Sequence, residues 1–287
     1  MGKATRLKHL IAKIDSLPTL PAIAQKLLSL SLDTVEGETN MLKLIAQDPI
    51  ISAKIIGLAN TSMFGSPVKV SSINDAAMRL GLTRVKAVVI SISTMSTLAK
   101  RPEGKLKSND LWMHSMAIAV AMRTIAKAMP ARVRPLDDHI FLAGLLHDIG
   151  YMALNYLDTA ISDELHTQFA AETEKSPLEI EQELLGMSHG ELGAQIGRHW
   201  DLPEEIITVM RYHHTPDAKE ALAGQPLVSL VSFAERMLSD FGIAEHTEQV
   251  ITEQEWIELG IDPPKVDEIR AQIATVSEQA RQISSAI

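Results

Sequence analysis

The apolar residues of this chain recur at three- and four-residue intervals along almost its whole length, and no other feature constrains the fold as strongly. Side chains at i, i+3, i+4 and i+7 share one face of an α-helix, whereas a half-buried strand needs strict alternation. β-branched runs are short and aromatics scarce (3 Trp, 3 Tyr, 5 Phe), so the pattern predicts an all-α protein. With 287 residues, 46% hydrophobic and 22% charged, the chain has a globular composition and the length of two domains or one large one.

Helix punctuation agrees with that reading. Asp48 before Pro49 is an N-cap followed by a proline at a position whose missing N–H costs nothing. Ser71 or Ser72 should open a helix through Leu80 with Gly81 as a left-handed stop, and Thr83 can cap the next. Ser108 can cap a helix through Leu111, His114, Ile118 and Met122, and Asp137 or Asp138 one that runs through Phe141 and Leu145 to Tyr151. Ser176, Pro177 and Glu179 form a cap-plus-proline signature; Ser188 opens a helix that ends near Asp201, and Pro203 begins another. Further helices are expected over 226–238 and 263–287. The polar run RPEGKLKSN at 101–109 marks a boundary, which divides the chain into 1–104, 105–245 and 246–287.

Charge and residue usage exclude several functions. Lys+Arg 27 against Asp+Glu 36 gives −9, a field with little attraction for nucleic-acid phosphates or anionic lipid, so direct nucleic-acid and membrane partners are not expected. The cationic start is broken by Lys8, Lys13 and Asp15, and no small-residue cleavage site follows, so no signal peptide is read. The apolar windows 85–98 and 111–128 carry Lys86, His114 and Arg123 and fall short of a span of about 20 apolar residues, which points to the cytoplasm. Cysteine is absent while histidine occurs ten times, so a transition-metal site here must consist of imidazole and carboxylate.

His114 lies in the apolar segment LWMHSMAIAVAM, four residues after Asp110, and His147 and Asp148 lie in AGLLHDIGYMAL. A carboxylate beside an imidazole within an apolar helix is costly unless a cation or a donor network compensates it. Helical bundles build metal sites from inward side chains on several helices; the metal-free alternative is a buried Asp–His hydrogen-bond network. His9, His166, His199 and His246 have polar neighbours and read as solvated, and His139, beside Asp137 and Asp138, reads as an ion-pair or surface residue.

The segment AGLLHDIG, with a helical histidine upstream and more histidines downstream, resembles the HD superfamily of metal-dependent phosphohydrolases. LPTLP (17–21), QDPIISAKIIGLANTSMFG (47–65), SSINDAAMRLGLTRVKAVVI (71–90), SHGELGAQIGRHWDLPEEI (188–206) and RYHH (211–214) are similar to the HDOD domain of bacterial signal-transduction proteins. The resemblance covers 17–214, and more loosely to Met237. It implies a helical N-terminal lobe beside an HD-like helical bundle. From the catalytic HD-GYP relatives it implies a divalent transition-metal cofactor, two ions of Fe, Mn, Zn or similar. The ligands so implied are His114, with Asp110 one turn earlier, His147, a bridging Asp148, His189, His213 and His214.

Three positions depart from those relatives. The last ligand, an Asp in an Ala-Asp-Arg/Lys motif, is matched by Glu235 in Ala234-Glu235-Arg236, one methylene or about 1.5 Å longer. Tyr151 stands where a phosphate-contacting Lys follows HDIG, and TPDAKE follows His214 in place of the Gly-Tyr-Pro loop, so cyclic di-GMP cleavage is disfavoured. The implied function is a signal-transduction regulator with an HD-like metal site, not necessarily catalytic, and an unnamed signalling protein as partner. The alternative is a metal-dependent phosphohydrolase acting on a nucleotide or other phosphate ester, with Asp148 catalytic, His213 or His214 protonating the leaving group, and Arg211 and Arg123 as the nearest cations. The loop 59–72, with Met63 and Phe64, is expected to pack between lobes or on a partner, and the segment after Glu248 to cover the bundle or join a homodimer.

Overall fold

The computed structural model describes residues 3–64, 68–99, 103–172, 174–238 and 250–283. Sixteen α-helices and no strand occur among them. The N-terminal half holds α1 (Lys3–Ile14), α2 (Ala22–Leu28), α3 (Val35–Ala46), α4 (Pro49–Ala59), α5 (Ile73–Leu80) and α6 (Leu82–Leu98). The next helices are α7 (Ser108–Ala128), α8 (Asp137–Leu146), α9 (Ile149–Leu157), α10 (Thr159–Ala171) and α11 (Pro177–Leu184). They are followed by α12 (His189–His199), α13 (Glu204–Tyr212), α14 (Leu227–Met237), α15 (Glu253–Glu258) and α16 (Val266–Ile283).

Several helix starts are set by local chemistry. Asp48 Oδ1 accepts from the amides of Ile50 and Ile51, each at 3.0 Å. The hydroxyls of Ser72, Ser176 and Ser188 each accept from the amide three residues on, and Ser176 forms a full capping box with Glu179. Each such cap is worth about 1 kcal/mol. Other starts differ from expectation. Gly81 sits at φ +91 and ψ 138, outside the left-handed helical region, and this one residue both ends α5 and precedes α6, which leaves no capping role for Thr83. Ser108 is the first residue of α7 rather than its cap, because Glu103 Oε1 already accepts from the Ser108 amide at 3.0 Å. Asp137 and Asp138 lie inside the first turn of α8, after Leu136.

The helix expected to run through to Tyr151 is interrupted at His147–Asp148, which separate α8 from α9. Successive helical residues point about 100° apart, so this interruption is what lets two neighbours in sequence face one centre. The terminal segment begins with a 3-10 turn, Pro263–Lys265, before α16; residues 284–287 lie outside the described residues.

One contiguous apolar core runs from Leu10 to Val276. Helices α2 to α5 pack on α6, which is buried over most of its length and also contacts α8 and α9. Its buried Ser91, Ser93 and Thr94 donate to the carbonyls of Ala87, Val89 and Ile90 one turn back, which satisfies their hydroxyls without breaking the helix. Helices α7, α8, α9, α12, α13 and α14 form the bundle around the histidines, and α16 crosses α7 to reach the turn Ser62–Phe64. Met63 and Phe64 pack partly buried against the same core, and Trp256 meets Phe233 edge-on at 4.9 Å. The helices α9 and α12 touch at Gly150, where a Cβ would lie 2.0 Å from the carbonyl oxygen of His189. The stretch Asp137–Leu157 has the length and hydropathy of a membrane span, and 94% of that window is buried inside the protein.

Candidate metal centre

Six elements bring seven titratable side chains to one place. His114 projects from the first half of α7, His147 follows α8 and Asp148 precedes α9. His189 is the first residue of α12, His213 follows α13 with His214 next to it, and Glu235 lies near the end of α14. His147, Asp148 and His213 are completely buried, His114, His189 and Glu235 nearly so, and the His214 side chain is 14% exposed.

Asp148 occupies the middle. Its Oδ2 lies 3.4 Å from His114 Nε2 and 3.3 Å from His147 Nε2, and its Oδ1 lies 3.3 Å from His189 Nε2 and 3.5 Å from His213 Nε2. Glu235 Oε1 lies 3.2 Å from His147 Nε2, and Oε2 lies 3.6 Å from His214 Nδ1. The longer side chain at 235 therefore reaches the centre.

The outer nitrogens of three rings are already engaged. His147 Nδ1 donates to the Gly144 carbonyl at 2.8 Å and His213 Nδ1 to the Val209 carbonyl at 3.0 Å, because a carbonyl can only accept. His189 Nδ1 donates to Glu181 Oε1 at 2.8 Å, and the same carboxylate accepts from the His189 amide at 2.9 Å. In the neutral state each Nε2 is therefore a lone pair aimed inward at carboxylate oxygens, and the His189 and His213 Nε2 atoms face each other at 3.1 Å. Acceptors facing acceptors in a dry interior repel unless a cation stands between them. His147 Nε2 and both oxygens of Asp148 make no hydrogen bond among the described residues. Carbonyl- or carboxylate-held imidazoles around a shared carboxylate are the arrangement that metal sites use to fix ring orientation. Three sets of ligand atoms are close enough to hold an ion: His114, His147 and Asp148; Asp148, His213 and Glu235; and His189, His213 and His214. The residues fit a metal of the imidazole-and-carboxylate class.

The electrostatics lead to the same conclusion. Burial disfavours a charged His147, but the adjacent Asp148 and Glu235 outweigh it and raise its pKa well above the usual imidazole value. Burial likewise works against a charged Asp148, yet the positive charge on His147 and the surrounding imidazoles hold it well below the carboxylate range. Burial, followed by the neighbouring His214, pushes His213 down, which keeps it a neutral donor atom.

Other expectations fare differently. Asp110 is exposed in the first turn of α7, about 6 Å along the axis from His114, where a carboxylate complements the positive helix end, and it is not among the buried groups of the centre. Arg123 donates to Asp137 at 2.8 Å together with Arg84, away from the centre. Arg211 does reach the neighbourhood: it donates to Glu191 at 3.0 Å and, with Ser188, Gly190 and His214, lines a cavity of about 190 Å³. Tyr151 is fully buried and stacks on His189 at 4.2 Å, an aromatic brace at the position where the HD-GYP resemblance implies a lysine. His139 pairs with Glu205 at 2.8 Å and His9 with Asp158 at 3.1 Å, and His199 is exposed. His166 is not solvated as expected: it lies 5.6 Å from Phe169 and 5.8 Å from Tyr151, and burial lowers its pKa. His246 lies outside the described residues.

Glu181, which orients His189, escaped sequence reasoning. Its signal was its position: Pro177, Ile180, Glu181 and Leu184 form the buried stripe of α11, and an acid on such a stripe requires a partner.

Known proteins share this architecture. The crystal structure of a Marinobacter aquaeolei VT8 protein proposed to act in signal transduction superposes with a TM-score of 0.83 at 22% identity, covering 99% of this chain and 66% of that one. A proposed phosphohydrolase from Shewanella amazonensis SB2B superposes with a TM-score of 0.73 at 24% identity, covering 97% of each chain. An uncharacterized protein of Treponema pallidum (strain Nichols) is 27% identical over 237 residues, 81% of this chain and 44% of that protein, so this chain spans less than half the length of that relative. The sequence pattern of the HDOD domain matches residues 17–216, which include every histidine of the centre, and the chain belongs to the HDOD domain family.

Proposed function

We propose that this protein is a regulatory module of bacterial signal transduction. Its bundle would hold two divalent transition-metal ions through His114, His147, Asp148, His189, His213, His214 and Glu235, with Asp148 shared between them, and turnover is not required for its role. The observation that carries the metal reading is the inward set of Nε2 lone pairs around Asp148, fixed by the bonds of His147 to Gly144, His189 to Glu181 and His213 to Val209. The regulatory reading is favoured by two side chains. Tyr151 is buried where the HD-GYP resemblance implies a phosphate-contacting lysine, and Arg211 is engaged with Glu191. The Marinobacter relative, itself proposed to act in signal transduction, supports the same reading. The partner is a signalling protein, recognised by a surface still to be mapped.

Phosphate-ester hydrolysis is the second reading, supported by the 190 Å³ cavity that brings His214 and Arg211 to the surface and by the Shewanella relative. When bound, two such ions supply Lewis-acid and nucleophile-generating chemistry. In that case Asp148 holds the reacting centre, Arg211 would have to leave Glu191 to meet a phosphate, and His214 is the one centre imidazole open enough to move a proton to a leaving group.

Metal analysis of protein prepared without chelator tests the first claim: Fe, Mn or Zn should copurify. No metal after reconstitution, together with wild-type melting of His147→Ala, would refute it. A panel of phosphomonoesters and nucleotides then separates the readings. The regulatory one expects no turnover by loaded protein and recovery of a signalling partner, whereas metal-dependent turnover abolished by Asp148→Asn would establish the hydrolase.

A further inference from the structure

A second cavity, of about 250 Å³, lies between the two halves of the molecule and shares no residue with the metal centre. Its floor is apolar: Leu58 of α4, Ile92 and Met95 of α6, Trp112 of α7 and Met152 of α9. Methionines at two of those five places make an adaptable surface, since their unbranched thioethers repack around different shapes. The volume falls just below the range of about 300–1,000 Å³ typical of small-molecule pockets, which implies a compact ligand.

The two charged groups around the floor, Lys54 and Glu103, differ in how far they are engaged. Glu103 is committed, because its carboxylate accepts from the Ser108 amide at the start of α7, and that bonding holds its pKa below the usual value. Lys54, half-buried on α4, lines the cavity and makes no hydrogen bond or ion pair among the described residues. Trp112 is 8% exposed, and its Nε1–H, shielded from solvent, has no acceptor among the described residues. The uncommitted group is thus a cation, Lys54, beside an apolar floor.

We propose that this interlobe cavity binds a small amphiphilic anion, an alkyl or aryl carboxylate whose apolar body covers Met95, Trp112 and Met152 and whose head pairs with Lys54. Such a ligand would contact α4 and α6 on one side and α7 and α9 on the other. The proposal stands independently of the metal centre.

Octanoate, octanol and octylamine are suitable probes, titrated into the full chain while the indole Nε1–H resonances are followed by NMR, with Trp112→Phe supplying the assignment. Octanoate should shift the Trp112 resonance saturably, octanol should bind roughly tenfold more weakly, and Lys54→Met should reduce octanoate to the level of octanol. Ser96→Trp, at the exposed mouth, should block binding without lowering the melting temperature. The proposal is overturned by any of three results: octanoate leaves Trp112 unmoved, all three probes bind equally, or Lys54→Met binds octanoate like the wild type.

Discussion

The molecule holds two charged clusters, one half-exposed and one buried, and they are built on opposite principles. In the first, Arg84 and Arg123 donate to Asp137 Oδ2 at 3.2 and 2.8 Å, and the Arg84 guanidinium lies over the Phe141 ring at 4.8 Å. Donors meet an acceptor there; burial alone would raise the Asp137 pKa, but the two arginines hold it down. In the second, around Asp148, imidazole lone pairs meet carboxylate oxygens at 3.2–3.5 Å. The arginine cluster is complete with permanently charged donors, whereas the histidine cluster, without a metal, obtains positive charge only by taking up a proton on His147. Ionisable residues on neighbouring helices are common to both, and the sense of the hydrogen bonds, together with the deeper burial of the second, distinguishes a structural ion pair from a cation site.

The contrast is broken most severely at its centre. Asp148→Ala leaves a ring of imidazoles around nothing anionic but Glu235, and should cost about 3–5 kcal/mol in chemical denaturation as well as all bound metal. Glu181→Gln should spare the fold but weaken metal binding by about 10–100-fold in a competition titration, because the carboxylate that orients His189 is lost. Unchanged affinity would mean that Glu181 serves packing alone.

Arg84→Met probes the other cluster. Asp137 keeps Arg123, so the expected loss is about 1–2 kcal/mol with metal content unaltered. A fall in metal content would show that the two clusters are coupled.

Acidity sharpens the difference further. In the metal-free protein, His147 has a raised pKa, so its contribution is full below the unfolded value of about 6.5 and fades as pH rises through the folded one. Asp148 is depressed, so its contribution is present above about 3.9 and is lost as pH falls through its folded value. Metal-free protein should therefore be most stable in the mildly acidic window between them. Metal must displace the His147 proton, so the gain in melting temperature on loading should grow from about pH 5 to pH 8; a gain independent of pH contradicts this assignment. The smallest effect belongs to His199→Ala, an exposed site, which should shift stability by no more than about 0.5 kcal/mol and leave metal content alone.

The sequence was most legible where local chemistry decides. The caps at Asp48, Ser72, Ser176 and Ser188 are readable because a side chain three residues or fewer away satisfies the helix end. The order of histidines likewise located the five rings that the structure brings together. Nonlocal effects stayed hidden. Apolar spacing runs unbroken across His147 and Asp148, since Leu145, Ile149 and Met152 continue the stripe, so nothing local announces the interruption between α8 and α9. Asp110 lay at helical spacing from His114, but periodicity carries no information about which turn lies inside the bundle. His166 looked polar by its neighbours in sequence and is enclosed by Phe169 one turn on and by Tyr151 from the neighbouring helix α9.

Gly150, two residues after Asp148, lets α9 lie directly against the first turn of α12. Backbone touches backbone there, so the gauge of the centre is set by main chain on the side that carries Asp148 and His189. Any added atom at that point would prise the two ligands apart. Gly150→Ala would therefore act as a spacer, and its effect should appear first as a change in which ion is preferred, because ionic radii differ by tenths of an ångström while a methyl group displaces by far more. On the Glu235 side the molecule adjusts through a side chain. On this side it works to a fixed tolerance.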